Sequence, residues 1–286
     1  MKVLIIGSKG NLGQQLMKVF SDYNVIGWDV DEIDITREKI VERKLKKLEP
    51  EVVINAAAYN AVDKCEADER EFALARKING LGPGYLARVC AEIGVVLVHY
   101  STDYVFGGKK KQGYKEDEKP EPINNYGRSK LLGEEEIKKQ GGKFFIIRTS
   151  KLFGPPGEIL GAKKSFIDIM LELSEKQEEI EVVDAEESCF TYTYDLARKT
   201  REILEAGARK YDYGIYHLVN QGPCTWFECA RKLFEITGKT VKIKPVPAEK
   251  IKRPAKRPRY SALINSRGPK LRHWEAAARE YLSKIS

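Results

Sequence analysis

The chain has 286 residues, of which 42% are hydrophobic and 32% are charged, so it is long and apolar enough to bury a large core. Lys and Arg number 50 against 42 Asp and Glu, which gives a formal net charge of +8. This composition excludes the disordered, collagen-like and membrane-spanning classes. No uncharged apolar run approaches the roughly 18 residues of a membrane helix. We therefore expect a cytoplasmic protein with no membrane partner.

The first half of the chain alternates short β-rich runs with helical stretches. Strands are predicted at 2–6, 25–28, 52–54, 95–100 and 144–147, and helices at 12–20, 38–48, 65–78, 84–93 and 129–139, with a break at 79–83. This alternation indicates βαβ units, and continuous apolarity within the strands indicates burial on both faces of a parallel sheet. The prediction is an α/β fold with a Rossmann-type doubly wound parallel sheet.

The alternation of predicted strands and helices becomes less regular after about residue 150. Helices are predicted at 166–173, 195–206 and 226–234, and strands at 180–183 and 214–219. We predict a nucleotide-binding Rossmann domain over 1–150 and a smaller C-terminal α/β substrate-binding lobe over 151–286, with some segments of the lobe returning to the first domain.

Five cysteines, an odd number without a CxxC pair, are predicted to be free thiols. The three histidines are scattered, and no His, Cys and carboxylate cluster predicts a metal site. A surface rich in Lys and Glu is typical of proteins from hot environments, because ion-pair networks retain their strength on heating. We therefore predict a thermophilic source.

A glycine-rich turn follows the first predicted strand and precedes a helix. Gly7, Gly10 and Gly13 have the spacing GxxGxxG. Glycines let backbone approach a pyrophosphate, and a helix N-terminus supplies N–H donors and partial positive charge. The turn predicts dinucleotide binding. The cofactor-binding candidates within it are Gly7, Lys9, Gly10, Asn11, Leu12 and Gly13.

Asp29 lies at the end of the second predicted strand, 22 residues after Gly7. A carboxylate at this place binds the ribose hydroxyls of a dinucleotide, although a solvated strand-end acid is the plain alternative. No Arg follows Asp29 directly, so NADH is easier to accommodate than NADPH. Lys9 could still meet a 2′-phosphate, and the cofactor is predicted as NADPH or NADH.

A second constellation combines Tyr126 and Lys130, four residues apart, with Ser101 and Thr102, which directly follow the fourth predicted strand. Residues at this spacing share one helix face, and the carboxyl ends of parallel strands are where α/β folds bind ligands. We predict that Lys130 lowers the pKa of Tyr126, which then acts as general acid, while the Thr102 hydroxyl holds a substrate carbonyl. A packing tyrosine and a solvated lysine are the alternatives.

Longer segments carry a resemblance to a known family. The segments 55–66, 101–106, 126–134, 148–150 and 257–263 resemble the dTDP-4-dehydrorhamnose reductases, which are extended short-chain dehydrogenase/reductases. The resemblance implies reduction of the C4 keto group of dTDP-4-dehydro-L-rhamnose to dTDP-L-rhamnose by NADH or NADPH.

The resemblance also implies roles for individual residues. Its implied sites are the catalytic trio Thr102, Tyr126 and Lys130; the nicotinamide-side residues Ala56, Ala57 and Tyr59; the adenine-side residues Asp34 and Ile35; and the sugar-side residues Val62, Asp103 and Tyr104. Asn79 corresponds to a helix asparagine that related reductases use for a proton-relay water, or simply ends a helix.

The substrate side departs from the family pattern. Lys151 replaces the usual Trp after Arg148-Thr-Ser150, and the stretch 185–191 keeps only Thr191 of its usual motif. The segment 242–259 holds eight basic residues. Since it has no interleaved aromatics, nucleic acid binding is disfavoured, and Arg253 or Arg257 reaching a sugar-nucleotide pyrophosphate competes with a solvated basic face.

Two other functions remain open at this point. One is a non-catalytic regulator, because relatives of this family serve as the regulatory β subunit of methionine adenosyltransferase. The other is a different nucleotide-sugar reductase or epimerase of the same superfamily. Retention of Thr102, Tyr126 and Lys130 favours catalysis over regulation. The expected partners are a nucleotide-sugar substrate and, as family members often dimerise, a second copy of the chain.

Overall fold

The computed structural model describes residues 1–158 and 164–285. Its main feature is a six-stranded parallel sheet in the order β2-β1-β3-β4-β5-β9. These strands are β1 (Lys2–Ile6), β2 (Asn24–Trp28), β3 (Val52–Asn55), β4 (Val96–Thr102), β5 (Phe144–Thr149) and β9 (Gly214–His217). The predicted Rossmann-type doubly wound sheet is confirmed.

The sheet is buried on both faces because alternate residues of its strands point in opposite directions. In β1, Val3 and Ile5 enter one apolar core, while Leu4 and Ile6 enter another, and all four side chains are at most 1% exposed. Helices on the two faces supply the other halves of these cores. They include α1 (Asn11–Val19), α2 (Glu38–Leu48), α3 (Val62–Ala67), α4 (Glu69–Ala75), α5 (Gly82–Glu92) and α6 (Asn125–Gln140).

The prediction of a break at 79–83 is wrong. A π-helical turn, Arg76–Leu81, connects α4 to α5 without interruption. Pro83 lies in the first turn of α5 and does not interrupt this path, although proline cannot donate a backbone hydrogen bond to the preceding π-helical turn. The interruption comes earlier, at Asp68, which has an extended backbone and whose side chain accepts a hydrogen bond from Arg70 N–H, so that it caps α4.

A separate apolar core lies in the C-terminal half, where Phe153, Phe190, Leu233 and Trp274 are nearly fully buried. Its elements are β6 (Leu152–Phe153), α7 (Phe166–Ser174), β7 (Glu179–Val183), β8 (Thr191–Tyr192), α9 (Trp226–Thr237), β10 (Lys242–Val246) and α10 (Trp274–Leu282). β6 pairs with β8, and β7 pairs with β10. The sequence reading missed β10, whose Lys residues and Pro245 resemble a solvated segment, and it missed α10.

One part of the C-terminal half belongs to the main sheet. α8 (Thr193–Ala206) contributes Leu196 and Ile203 to the core that also contains Leu16 of α1, and β9 pairs with β5. The Arg201 guanidinium bridges to Asp22, with Nη1 2.6 Å from Oδ1.

No helix within the described ranges is both long and apolar enough to cross a membrane. All five cysteines lie in these ranges, and none forms a disulfide bond.

Candidate active site

The strand order reverses between β1 and β3, and the turns that follow these two strands lie side by side. Gly7 has φ +80°, and a Cβ there would be 2.6 Å from the Ala57 nitrogen. A Cβ on Gly13 would be 2.0 Å from the Gly7 oxygen. Gly7 and Gly13 are therefore required by close backbone packing within the protein. Gly10, where the nearest atom would be 3.4 Å from a Cβ, leaves the open side of the turn clear.

The open side of this turn suits a pyrophosphate. α1 begins at Asn11 with Gly10 as its N-cap, and Gly10 has no side chain to bond the N–H groups of the first turn. The turn at 157–158 crosses beside it, since Glu158 N–H donates to the Lys9 oxygen at 2.9 Å and Gly157 N–H donates to Asn11 Oδ1 at 2.9 Å. The bare backbone of Gly10 and the uncapped helix N-terminus therefore fit the pyrophosphate of a dinucleotide cofactor.

Asp29 is only 7% exposed and accepts hydrogen bonds from the backbone of Lys9, at 3.0 Å, and Val30, at 2.9 Å. Its two oxygens keep lone pairs for ribose hydroxyls. The Lys9 ammonium lies 2.8 Å from Asp31 Oδ2, and this hydrogen bond raises the pKa of Lys9. Glu32 also bonds the Asp29 N–H, so three carboxylates surround the predicted ribose position.

The two residues predicted beside adenine differ in exposure. Asp34 is exposed and accepts hydrogen bonds from Thr36 N–H at 2.9 Å and from its hydroxyl at 2.7 Å. Ile35 is 5% exposed and packs against Gly82, whose Cβ would be 3.1 Å away. Ile35 is thus a core residue at the base of this edge.

Thr102 is the last residue of β4, and α6 begins beside it. A Cβ on Gly127 would be 2.2 Å from the Tyr104 oxygen, so glycine allows α6 to start directly against the chain that follows β4. Asn124 caps this helix by accepting from Gly127 N–H at 2.8 Å. Tyr126 and Lys130 follow on one helical face. The structure therefore brings the predicted trio to the carboxyl edge of the sheet.

The pKa values of Tyr126 and Lys130 differ from their ordinary values because both side chains are buried. Burial raises the pKa of Tyr126, and the Asp103 charge adds to this, while a hydrogen bond with Thr102 opposes it. Lys130 is 2% exposed and donates to the Tyr100 oxygen at 2.6 Å. Burial lowers the pKa of Lys130 to about 8, against the opposing charge of Glu134. The predicted net lowering of the Tyr126 pKa is not found, because desolvation of the phenol outweighs any opposing effect of the Lys130 charge, and Tyr126 is protonated.

Asn79 does not end a helix; it fastens the turn after β3 to α6. Its Oδ1 accepts from Tyr59 N–H at 2.8 Å, and its Nδ2 donates to the Tyr59 oxygen at 2.9 Å and to Ser129 Oγ at 3.0 Å. Ser129 Oγ in turn donates to the Tyr126 oxygen at 2.7 Å. These bonds fix the Ala56–Tyr59 side of the site relative to Tyr126.

Asp103 is 3% exposed and accepts from Thr102 Oγ1 at 3.1 Å and from Ser261 Oγ at 2.6 Å. Burial raises the pKa of Asp103. The Tyr104 ring meets the Tyr126 ring edge-on, with centroids 5.9 Å apart. Val62 begins α3 and is partly buried.

Arg253 and Arg257 both lie close enough to the Tyr104 hydroxyl to lower its pKa, although burial dominates and raises it. Each guanidinium is paired. Arg257 donates to both oxygens of Asp63 at 2.6 Å, and Arg253 pairs with Glu186. A sugar-nucleotide pyrophosphate would compete with these carboxylates.

Lys151 has a left-handed backbone, with φ +37°. Its Nζ lies 3.8 Å from the centroid of the Trp226 ring and 4.8 Å from that of Phe190, and it donates to the Glu186 oxygen at 3.3 Å. Burial lowers the pKa of Lys151. Trp226 Nε1 donates to Glu186 Oε2 at 3.0 Å, so these residues form one cluster.

The sequence reading missed Trp226 and Glu186 as members of this cluster. The available signal was the capping box Thr225 and Glu228, which places Trp226 at the first position of a helix.

A family model described as the RmlD substrate binding domain matches residues 1–286. The spore coat polysaccharide biosynthesis protein SpsK of Bacillus subtilis is 37% identical, over 100% of this chain and 98% of its own. The dTDP-4-dehydrorhamnose reductase of Burkholderia thailandensis is 34% identical, over 93% and 91%.

Solved structures agree. The dTDP-4-dehydrorhamnose reductase of Clostridium acetobutylicum is 36% identical with a TM-score of 0.92, over 100% of this chain and 99% of that one. The dTDP-4-dehydrorhamnose reductase of Bacillus anthracis in complex with NADP is 34% identical with a TM-score of 0.91, over 99% and 100%. The resemblance predicted from the motifs is confirmed, and the chain belongs to the RmlD substrate binding domain family.

Proposed function

We propose that the protein is an NAD(P)H-dependent oxidoreductase that reduces the C4 keto group of dTDP-4-dehydro-L-rhamnose to give dTDP-L-rhamnose. The observation that carries this proposal is the meeting of Thr102, Tyr126 and Lys130 at the carboxyl end of β4, beside the turn after β3. Relatives named for this reaction match over nearly the whole chain.

The bound cofactor supplies the hydride. The Thr102 hydroxyl and the Tyr126 phenol hold the substrate carbonyl oxygen, and Tyr126 gives its proton to the oxygen as the alcohol forms. Since burial raises the pKa of Tyr126, the phenol is protonated before the reaction. Lys130, with a pKa of about 8, supplies a positive charge that stabilises the tyrosinate left behind.

The cofactor is NADPH or NADH, with NADH favoured. Gly10, the start of α1 and Asp29 hold the pyrophosphate and ribose, with Asp34 near adenine. Lys9 is engaged by Asp31 and is less available to a 2′-phosphate.

On this proposal the sugar nucleotide lies between the carboxyl edge of the main sheet and the apolar core of the C-terminal half. On this proposal residues 1–150 mainly bind the cofactor, and residues 151–286 mainly bind the sugar nucleotide. Val62, Asp103, Tyr104, Lys151, Arg253 and Arg257 border it. The enzyme would work in the cytoplasm of a thermophile and form homodimers.

The test measures the loss of 340 nm absorbance of NADH and NADPH with enzymatically generated dTDP-4-dehydro-L-rhamnose. Tyr126→Phe should lower kcat by ~10²-fold or more, because the proton donor is lost. Tyr213→Phe is the matched control, since Tyr213 directly precedes β9 and so lies at the opposite edge of the sheet.

Cofactor binding without oxidation by the wild-type protein would contradict the proposal and favour a regulatory role. Isomerisation of a sugar nucleotide without net cofactor loss would favour an epimerase.

A further inference from the structure

A buried carboxylate, Glu134, lies on the helical face that carries Tyr126 and Lys130. The three residues follow at intervals of four in α6, so they lie one above another. Glu134 is fully buried. Nothing in the proposed reaction uses it, yet a buried carboxylate is costly unless it is bonded.

Glu134 bonds the two strands that end at the site. Its Oε1 accepts from Ser101 Oγ at 2.6 Å and from Arg148 Nε at 2.9 Å, and its Oε2 accepts from Arg148 Nη2 at 2.7 Å. Ser101 and Arg148 are register partners in β4 and β5, one step before Thr102 and Thr149. Glu134 therefore fastens α6 to the residue that directly precedes Thr102.

Arg148 is the counter-charge of Glu134. Its guanidinium is 1% exposed and Glu134 is fully buried, so the loss of either charge would leave the other uncompensated inside the protein. Arg148 is itself held, since Nη1 donates to the Glu116 oxygen at 3.3 Å and its Cζ lies 5.0 Å from the centroid of the Phe106 ring.

The charges around Lys130 can be named element by element. α6 contributes Glu134 and the neutral phenol of Tyr126, and β4 contributes His99, whose pKa is lowered by burial and by Lys130. Beyond Glu134 lie Arg148 of β5 and His217 of β9, and burial lowers the pKa of His217 to about 4. Glu134 is the negative charge in this set that acts on Lys130.

We propose that Glu134 is a positioning residue for the site: it fixes the catalytic helix to the end of β4 and, one helix turn beyond Lys130 on the same face, supplies a buried negative charge to that ammonium. This inference rests on the proposed function for its consequence in catalysis, but the ionisation of Lys130 can be measured without substrate.

The experiment follows the ¹³Cε signals of labelled lysines during a pH titration of the full chain, with Lys130 assigned by its loss in Lys130→Arg. Glu134→Gln keeps an acceptor for Ser101 and removes the charge. We expect the Lys130 midpoint to fall by about one pH unit. Glu135→Gln, at the exposed neighbouring position, should leave it unchanged.

A second variant is included in case Glu134→Gln does not fold. Glu134→Gln leaves Arg148 without its counter-charge, whereas Glu134→Gln/Arg148→Met removes both charges, and such replacements are often neutral for stability. The Lys130 midpoint should again fall, by less, because the positive charge of Arg148 is also gone.

A Lys130 midpoint equal to that of the wild type in the folded variants overturns the proposal, even if their melting temperatures fall. If the wild-type protein reduces the keto-sugar, the alkaline limb of kcat should move with the midpoint in Glu134→Gln. An absence of reductase activity would contradict the proposed function alone, since the titration requires no substrate.

Discussion

The cofactor side and the sugar side of the site are built differently. On the cofactor side, backbone groups approach one another closely, as at Gly7 and Gly13, and Asn79 bonds the backbone of Tyr59. On the sugar side, paired charges and rings from distant segments meet, as in Lys151, Trp226 and Glu186. Backbone packing tolerates few residue types, whereas ion pairs and rings can be exchanged. We therefore expect substitutions on the proposed sugar side to change substrate preference more readily than substitutions on the cofactor side.

The largest effect is expected from a substitution of Lys130, which lies between the cofactor side and the sugar side. Lys130→Met should lower kcat by ~10²-fold with little change in KM, because the charge that stabilises the tyrosinate is lost. Lys138→Met, at an exposed position of the same helix, is the matched control. Steady-state kinetics at pH 7 tests this, and equal losses in the two variants would contradict the role of Lys130.

The pH dependence of the wild-type enzyme follows from the same amine. Lys130 is charged below its pKa of about 8, so kcat should fall as the pH rises through that value. The measurement is kcat from pH 6 to about 10 at saturating substrates. A plateau extending to about pH 10 would show that the lysine charge is not needed.

On the sugar side a smaller effect is expected. Lys151→Met should raise KM for the sugar nucleotide ~10-fold, since a hydrogen bond to a charged group contributes about 1.5–3 kcal/mol, and leave cofactor affinity unchanged. Lys176→Met, at an exposed position beyond α7, is the control. A change in cofactor affinity of the same size would place Lys151 outside the sugar side.

The Asp31→Asn variant tests whether the Lys9 ammonium lies near the 2′ position of the cofactor. Removing the partner of Lys9 frees its ammonium for a 2′-phosphate, so the ratio of kcat/KM for NADPH to that for NADH should rise about 3-fold, as expected for an exposed ion pair. Asp212→Asn, at another exposed acid, is the control. An unchanged ratio would show that Lys9 does not face the 2′ position.

A last prediction concerns stability in acid, and no effect on catalysis is expected from it. His217 has a folded pKa of about 4, below the ordinary 6.5, so the unfolded chain binds the proton first. Its contribution to the free energy of unfolding should be intact above pH 6.5 and decrease as the pH falls toward 4. Urea titrations at several pH values test this against His217→Gln, which should show a flatter pH dependence.

The main sheet could be predicted from the sequence, and candidate cofactor and catalytic residues could be named, because their signals are local. Gly7, Gly10 and Gly13 lie within one turn, and Tyr126 and Lys130 lie within one helix turn. The cluster around Lys151 could not be predicted, because Glu186, Trp226 and Arg253 meet only through the folding of distant segments. The π-helical turn was missed for a similar reason. Asn79 is held there by Tyr59 and Ser129, which are 20 and 50 residues away.

The route of the chain has a consequence for dissecting the protein. The chain leaves the main sheet after β5, returns for α8 and β9, and leaves again. A fragment ending at residue 150 would lack β9. Its β5 would then be an edge strand whose unpaired backbone N–H and C=O groups could pair with a strand of another molecule and cause aggregation. It would also uncover the apolar side chains that Leu196 and Ile203 now shield. Residues 1–150 are thus not an autonomous folding unit, and a soluble fragment would have to include α8 and β9.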